Sequence, residues 1–527
     1  MRYIFVTGGV VSSLGKGLTA ASMGALLEAW GLRVALKKFD PYLNVDPGTM
    51  NPFQHGEVYV LADGAETDLD LGHYERFTNA KLTADSSTSS GKVYAAVLKR
   101  ERKGEYLGQT VQVIPHVTDE IKKRMHAADK NVDVTIIELG GTVGDIESMP
   151  FLEAIRQFVL DEKKSNVLFA HVALLPYLRV ADEIKTKPAQ QSVALLRGIG
   201  IQPDLLLCRT EKRITDEIRR KLSLFCNVPV EGVIQELDVQ SIYEVPNMLH
   251  EEGVDRFILN YFGFAQQHCN LDPWKKVVSK IRRLRRQLTI ALVGKYVHLQ
   301  DAYKSVYESL DHGAIANGCR LGVLRVDPEL LEKENVIALL KDCRGILVPG
   351  GFGNRGILGK LSAIRHARTM RIPFFGICLG MQLAVVEFAR NVAGLEEAHS
   401  VEFAPETPHP VITLMDSQRN LSTKGGTMRL GHYDCQIVPE TLLQKAYGDT
   451  HVLERHRHRY EFNGAYVDKL VKSGLTISGT GPHGLVEAVE IAEHPWFIGV
   501  QFHPEFQSNP HRAHPLFRSF IGAALEN

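Results

Sequence analysis

The chain has 527 residues, 61 Lys and Arg against 61 Asp and Glu, and a hydrophobic fraction of 44%. At about 100–200 residues per domain this implies roughly two to four folded units, and ordinary contents of charged (23%) and aromatic (8%) residues exclude a chain disordered throughout. A formal net charge of zero removes the simplest electrostatic case for a general binder of nucleic acid or membrane surfaces, although local basic clusters can still hold anions.

Seven cysteines, at positions 208, 226, 269, 319, 343, 378 and 435, show neither a zinc spacing nor a disulfide framework, so a reducing cytoplasm is the expected location. No apolar run approaches the about 18 residues of a membrane span, and the best, Val167 to Leu175, has the length of a core strand. Strand-like Tyr3-Ile4-Phe5-Val6 begins almost at the start and leaves no expected room for a signal peptide.

Short apolar runs alternate with amphipathic stretches, which predicts α/β architecture with largely parallel sheets. Buried strands are expected at Tyr3–Val6, Val34–Leu36, Val134–Leu139, Val167–Leu174 and Asp204–Leu207. A second series is expected at Leu288–Val293, Gly345–Val348, Pro373–Ile377 and Phe497–Phe502. Ser86-Ser87-Thr88-Ser89-Ser90-Gly91 reads as a flexible surface loop. Between the two series, Trp274 to Arg286 carries seven basic residues and reads as a linker or a solvated interdomain helix. The expected organisation is one domain over 1–265, a linker over 266–287 and a second domain over 288–527.

The strongest local feature of the first half is Gly8-Gly9-Val10-Val11-Ser12-Ser13-Leu14-Gly15-Lys16-Gly17, between a strand and an apolar-periodic helix. Glycines let backbone N–H groups approach a polyphosphate, the helix N-terminus adds partial positive charge, and Lys16 reaches the terminal phosphates. The run departs from a P-loop: Gly9 sits one residue too far from Gly15, and Gly17 replaces the Ser or Thr that would hold Mg²⁺. Carboxylates elsewhere are then expected to supply the metal ligands. Glu66, Asp68 and Asp70 form a loop-like acidic cluster, and Glu138 stands at the carboxyl end of an apolar strand, the usual ligand edge of an open α/β sheet. Lys185-Thr186-Lys187-Pro188-Ala189-Gln190-Gln191-Ser192 gathers cations and amides in a loop suited to a second triphosphate or a base.

In the second half, Phe374-Phe375-Gly376-Ile377-Cys378-Leu379-Gly380 reads strand, sharp turn, helix: the cysteine form of a nucleophile elbow, with the helix dipole favouring thiolate. Gln501-Phe502-His503-Pro504-Glu505 follows a strand, and on an extended chain Glu505 faces the same side as His503, able to accept from one ring nitrogen while the other faces Cys378. Val348-Pro349-Gly350-Gly351-Phe352-Gly353 offers a turn whose backbone N–H, with that of Leu379, suits a developing oxyanion. These segments predict a hydrolytic or transferase cysteine site. In Arg455-His456-Arg457-His458-Arg459-Tyr460, two histidines without a third ligand argue against a metal, and an arginine recognising a carboxylate fits better.

With these residues assembled, the sequence resembles the CTP synthases (UTP–ammonia ligases) over essentially its whole length. The matching stretches are Phe5 to Gly17, Asp40 to Met50, Gly64 to Phe77, Gly140 to Ser148 and Lys185 to Pro188. The resemblance implies a P-loop-like, dethiobiotin-synthetase-like parallel-sheet amidoligase domain joined to a class I glutamine amidotransferase α/β domain. It implies that Ser13, Leu14, Gly15, Lys16, Gly17 and Leu18, with Lys38, hold ATP phosphates, that Leu237, Asp238 and Val239 contact adenine, and that Asp70 and Glu138 bind Mg²⁺. UTP would be held by Ser12, Asp145, Ile146, Glu147, Lys185, Thr186, Lys187, Pro188, Ala189, Gln190 and Lys221, with overlapping contacts for the feedback inhibitor CTP. Cys378, His503 and Glu505 resemble the family's triad, and Gly351, Leu379, Gly380, Met381, Gln382, Glu402 and Arg459 its glutamine contacts. Gly425 to Gly431 matches the lid tied to GTP activation, and Pro52, His55 and Val58 fall where the family gates its ammonia tunnel. The implied assembly is a homotetramer, with filaments as a further form, and no nucleic acid or membrane partner. Two other readings are a cobyrinate-type amidotransferase, separable by uracil-dependent ATP hydrolysis, and a filament-forming protein with dead sites, separable by an activity assay.

Overall fold

A strand buried on both faces must be apolar along its whole length, and Arg2–Gly9 is such a strand, with only Arg2 reaching the surface. In the computed structural model, which describes all residues except Ser13, 128–130, 266–267, Glu334, 416–417 and 419–425, it is the middle strand of a seven-stranded sheet. The order is Val233–Leu237, Leu205–Thr210, Val167–Leu174, Arg2–Gly9, Val134–Leu139, Val34–Asp40 and Ser87–Ser89, and every neighbouring pair is parallel. Helix Lys16–Ala29 follows the first strand directly and is buried from Lys16 to Leu27. Tyr3 and Phe5 meet Phe158 edge-on, at ring separations of 4.8 and 5.2 Å, and fix the helix Met149–Asp161 to the sheet.

This sheet belongs to a body made of Met1–Asp46 and Asp70–Val278; a second body comprises Pro47–Leu69 and Ser279–Asn527. Contacts therefore do not divide at one point in the sequence. The basic run forms the helix Asp272–Arg283, whose Trp274, Val277 and Val278 are buried while its cations point outward. Trp274 stacks on Phe77 at 5.1 Å, and Phe77 on Tyr243 at 5.4 Å.

The serine run is not a surface loop. Ser87–Ser89 is a buried strand paired with Lys38–Asp40, and Ser90 opens the helix Ser90–Arg102. Small hydroxyl side chains fit because the surrounding backbone satisfies them: Ser89 donates to the Val45 carbonyl at 2.9 Å and accepts from the Lys92 N–H at 3.1 Å. Composition suggests a loop, but local hydrogen bonding makes a strand and a helix cap.

The second body is built on a nine-stranded sheet in the order Cys319–Val326, Arg286–Val293, Gly345–Val348, Phe374–Ile377, Phe497–Val500, Val486–Glu490, Thr476–Thr480, Arg429–Ile437 and His451–His458. The first five strands are parallel and the rest antiparallel. Phe375 anchors one face, with ring contacts to Phe517 (5.2 Å), Trp496 (5.5 Å) and Phe520 (5.7 Å). Pro47–Leu69 joins this body through the hairpin Tyr59–Val60 and Glu66–Thr67. The Tyr59 hydroxyl donates to the Phe506 carbonyl at 2.8 Å, and the Glu57 carboxylate accepts from the Ser305 N–H at 2.8 Å, at the N-terminus of helix Lys304–Ala316. No helix among the described residues is long and apolar enough to cross a membrane.

Phe375→Ala is expected to destabilise the second body by about 3–5 kcal/mol, through lost burial and an aromatic-lined cavity. Urea unfolding followed by tryptophan fluorescence measures this, and an unchanged midpoint would contradict the packing role.

Candidate active sites

In the first body, the chain turns from strand to helix through Gly15, whose φ of 95° is left-handed and costs a glycine little. The turn brings Lys16 back over the carboxyl ends of the strands, where its Nζ donates to the Gly141 carbonyl at 2.7 Å. Burial lowers the Lys16 pKa; Glu138 opposes the shift and Lys38 adds to it. Lys38 Nζ donates to Glu138 at 2.8 Å and to Asp70, with Asp40 at 3.9 Å. The Tyr74 hydroxyl donates to the other Glu138 oxygen, and burial together with that carboxylate pushes its pKa well up. A Cβ added at Gly17 would overlap the Asp70 carboxylate. The position that carries a hydroxyl residue in a P-loop is thus filled from another segment by an acid.

The structure brings Lys16, Lys38, Asp70 and Glu138 together but divides the expected acidic cluster. Glu66 pairs with Arg457 at 2.8 Å and Asp68 with His55 at 3.2 Å, all within the second body. Each of the three carboxylates on this short segment has a different partner: Arg457 for Glu66, His55 for Asp68 and Lys38 for Asp70. Of the residues expected at the nucleotides, Ser13 lies outside the described residues, Leu14 and Leu18 are buried, and Ser12 is exposed. Asp145 accepts from the Thr142 N–H at 2.8 Å, while Ile146, at 84% exposure, and Glu147 face solvent. Lys185 pairs with Glu183, and Thr186, Lys187, Pro188, Ala189 and Gln190 wind into the start of helix Lys187–Gly198, where Gln190 donates to Thr186 at 3.0 Å. Lys221 is exposed on helix Asp216–Cys226. Asp238 accepts from Arg209 Nε at 3.0 Å. Arg209 also reaches Glu236 (3.2 Å), which accepts from Thr19 on the helix after the phosphate loop (3.0 Å). Tyr74, Arg209 and Glu236 carry no signal in the sequence, because each acts through a partner far along the chain.

In the second body, Cys378 sits between strand Phe374–Ile377 and helix Leu379–Asn391 with φ 51° and ψ −103°, strained for a non-glycine residue, as a nucleophile elbow requires. Its N–H donates to the Val500 carbonyl at 2.7 Å. His503 Nδ1 and Glu505 Oε1 are 2.7 Å apart. They meet across the short 3₁₀ turn Pro504–Gln507 rather than along the extended chain expected from sequence. Burial alone lowers the His503 pKa, but Glu505 and the adjacent Cys378 thiol override it and raise it to about 10. Leu379 opens the helix, so its N–H has no intrahelical acceptor.

Cys378, His503, Gly350, Gly351, Pro52 and Val58 share the wall of a cavity of about 390 Å³. His55 is not part of that wall. Glu402 accepts from the Gly353 N–H at 3.1 Å, and its pKa is raised by burial against the pull of Lys295. Gln382 donates to the Tyr460 carbonyl (3.0 Å) and to Gln501 (3.2 Å), while Gln501 donates to the Cys378 sulfur at 3.7 Å. Gly380 and Met381 are buried in the helix behind the nucleophile. Arg459 reaches Gln418 (2.8 Å) and Thr427 (3.1 Å). In the lid-like segment Gly425 lies outside the described residues, and Arg429 is held by Glu487 (2.7 Å) and Glu461 (3.2 Å). Along His451–His458, Arg457 faces the cavity, whereas His456 and His458 are buried 2.9 Å apart, with burial pushing both pKa values well down. Gln501 is the residue near the nucleophile that sequence reasoning passes over, although it stands two positions before His503.

A family model described as CTP synthase N-terminus matches residues 2–264, and one described as glutamine amidotransferase class-I matches residues 298–523. A curated CTP synthase of Geobacter metallireducens is 58% identical over 528 residues, covering 100% of this chain and 98% of that one. The chain belongs to the CTP synthase family. A CTP synthase of Clostridium kluyveri is 57% identical over 529 residues, again covering 100% of this chain and 98% of the relative. A solved glutaminase domain of Trypanosoma brucei CTPS with bound acivicin is 45% identical and covers 46% of this chain and 94% of its own, with a TM-score of 0.43. The CTP synthases are glutamine-hydrolysing ligases, and both kinds of domain that name requires are present.

Because Glu505 stabilises the imidazolium, Glu505→Gln is expected to move the His503 titration down toward the ordinary value of about 6.5. NMR of labelled imidazole against pH reads this directly, and an unmoved titration would contradict the pairing.

Proposed function

We propose that the protein converts UTP to CTP, using ATP and ammonia released from L-glutamine. The reading rests chiefly on one observation: a strained cysteine shares a cavity wall with a histidine held by a carboxylate, at the carboxyl edge of a parallel sheet in the body matched by the amidotransferase model. The cluster of Lys16, Lys38, Asp70 and Glu138 supports the ligase half.

In the amidoligase body, ATP phosphorylates O4 of the uracil and so turns a poor leaving oxygen into phosphate. Lys16 and Lys38 counter the charge on the transferring group. Two carboxylates that meet at one ammonium, Glu138 buried and Asp70 partly exposed, fit a hard cation: Asp70 and Glu138 would hold Mg²⁺, which would offset phosphate charge. Ser13 to Leu18 and Leu237 to Val239 contact ATP, and Ser12, Asp145 to Glu147, Lys185 to Gln190 and Lys221 contact UTP.

In the glutaminase body, Cys378 attacks the carboxamide carbon of glutamine with its proton already held on His503, which passes it to the departing amine. Backbone N–H groups of Gly351 and Leu379 stabilise the oxyanion, and Glu505 holds the imidazolium. Water then cleaves the thioester to glutamate. Glu402 and Arg459 recognise the charged ends of glutamine. Ammonia, kept from protonation in a dry tunnel gated by Pro52, His55 and Val58, displaces phosphate from C4 to give CTP. GTP activates through the lid, CTP inhibits at contacts shared with UTP, and the cytoplasmic enzyme works as a homotetramer that also forms filaments.

Cys378→Ala is expected to lower CTP formation from glutamine by at least about 10³-fold while leaving formation from ammonia. Loss of both in a folded variant would refute two sites joined by a tunnel. Asp70→Ala and Glu138→Ala should each keep glutamine hydrolysis and abolish ligation; surviving ligation would overturn the metal assignment.

A further inference from the structure

Three side chains of the first body that the proposed reaction leaves unused stand together near its carboxyl end. His250 lies on helix Val245–Glu251, Asp255 in the first turn of helix Val254–Phe262, and Cys269 just before helix Asp272–Arg283. One donor atom from each lies within 4.8 Å of the other two. Asp255 is fully buried. Its Oδ2 accepts from the Trp30 indole N–H at 2.7 Å and lies 2.7 Å from His250 Nδ1, whereas Oδ1 has no hydrogen-bond partner. A buried carboxylate oxygen left unpaired is costly, and here it stands beside an imidazole and a thiol.

We propose that His250, Asp255 and Cys269 bind a zinc ion. A nitrogen, oxygen and sulfur donor set suits Zn²⁺ and is wrong for Mg²⁺ or Ca²⁺, which take oxygen ligands alone. The carboxylate and thiolate together cancel the charge of the ion. His250 and Cys269 are half-buried, so the ion enters from solvent and the fourth position falls to water. Binding forms the Zn–S bond with release of the thiol proton to solvent. Beside the site, the Asn270 N–H donates to the Ala29 carbonyl at 2.8 Å. The ion ties helices Val245–Glu251 and Val254–Phe262 to the segment before Asp272–Arg283, and its role is structural.

The test is equilibrium dialysis of the chelator-stripped full chain against Zn²⁺ in excess Mg²⁺, with metal counted by atomic spectroscopy. About one equivalent per chain is expected in the parent protein and in Cys378→Ser, which removes the catalytic thiol as a competing ligand. In Cys269→Ser and His250→Ala, both at half-buried positions and checked for folding by circular dichroism, affinity should fall by more than the about 10–100-fold typical of losing an outer-shell partner. Co²⁺ in place of Zn²⁺ should give a thiolate charge-transfer band that Cys269→Ser abolishes. No retained zinc in the parent, or retention unchanged in both variants, overturns the proposal.

Discussion

Parallel strands that end level with one another set where chemistry can occur in both bodies. In the first, Lys38 and Glu138 are register partners on adjacent strands, so their side chains meet on the same side of the sheet at its carboxyl edge. In the second, the Gly350–Gly351 turn, Cys378 and His503 follow three consecutive neighbours, Gly345–Val348, Phe374–Ile377 and Phe497–Val500. No long-range device is needed to assemble nucleophile, base and oxyanion turn. Each simply continues its own strand, and the sheet supplies the spacing.

That arrangement also explains which features are legible in the amino-acid sequence. Strand, glycine and cysteine in immediate succession identify a nucleophile elbow because strain, strand and helix are local properties, and His503 with Glu505 is legible for the same reason. The pair forms through a 3₁₀ turn and not an extended chain, so the pairing is legible while its backbone geometry is not. Residues whose role depends on a distant partner leave no signal. Tyr74 reaches Glu138, Arg209 reaches Glu236 and Asp238, and Gln501 bridges Gln382 and the nucleophile. The serine run misleads because its composition suits a loop, while its strand pairing comes from Lys38–Asp40. His250, Asp255 and Cys269 follow no zinc spacing at all, since tertiary packing and not a motif brings them together.

Behind the glutaminase site lies a second electrostatic layer. Arg429 is shared between Glu461 and Glu487, while His456 and His458 stand beside the same acids. Burial raises the Glu461 pKa to about 8 and that of Glu487 as well, with the single arginine pulling both down. Such a network is costly to disturb, because removing one member strands the rest in a poorly solvated interior. It underlies the strand whose Arg457 carbonyl accepts from Cys378 and whose Arg455 carbonyl accepts from the His503 N–H. Rigidity of the catalytic pair thus has a source one layer removed from the substrate cavity.

The membership of Pro47–Leu69 in the second body has a consequence for biosynthesis. This segment emerges from the ribosome early, yet the surfaces that bury Tyr59 and receive Glu57 are made more than two hundred residues later. Until then Tyr59, Val60 and Leu61, all buried in the finished molecule, wait as an apolar, unfinished hairpin in a chain whose first sheet can already close around it in sequence. The nascent chain therefore carries these three side chains uncovered through most of its synthesis, and a chain halted before the glutaminase sheet is complete would leave them so.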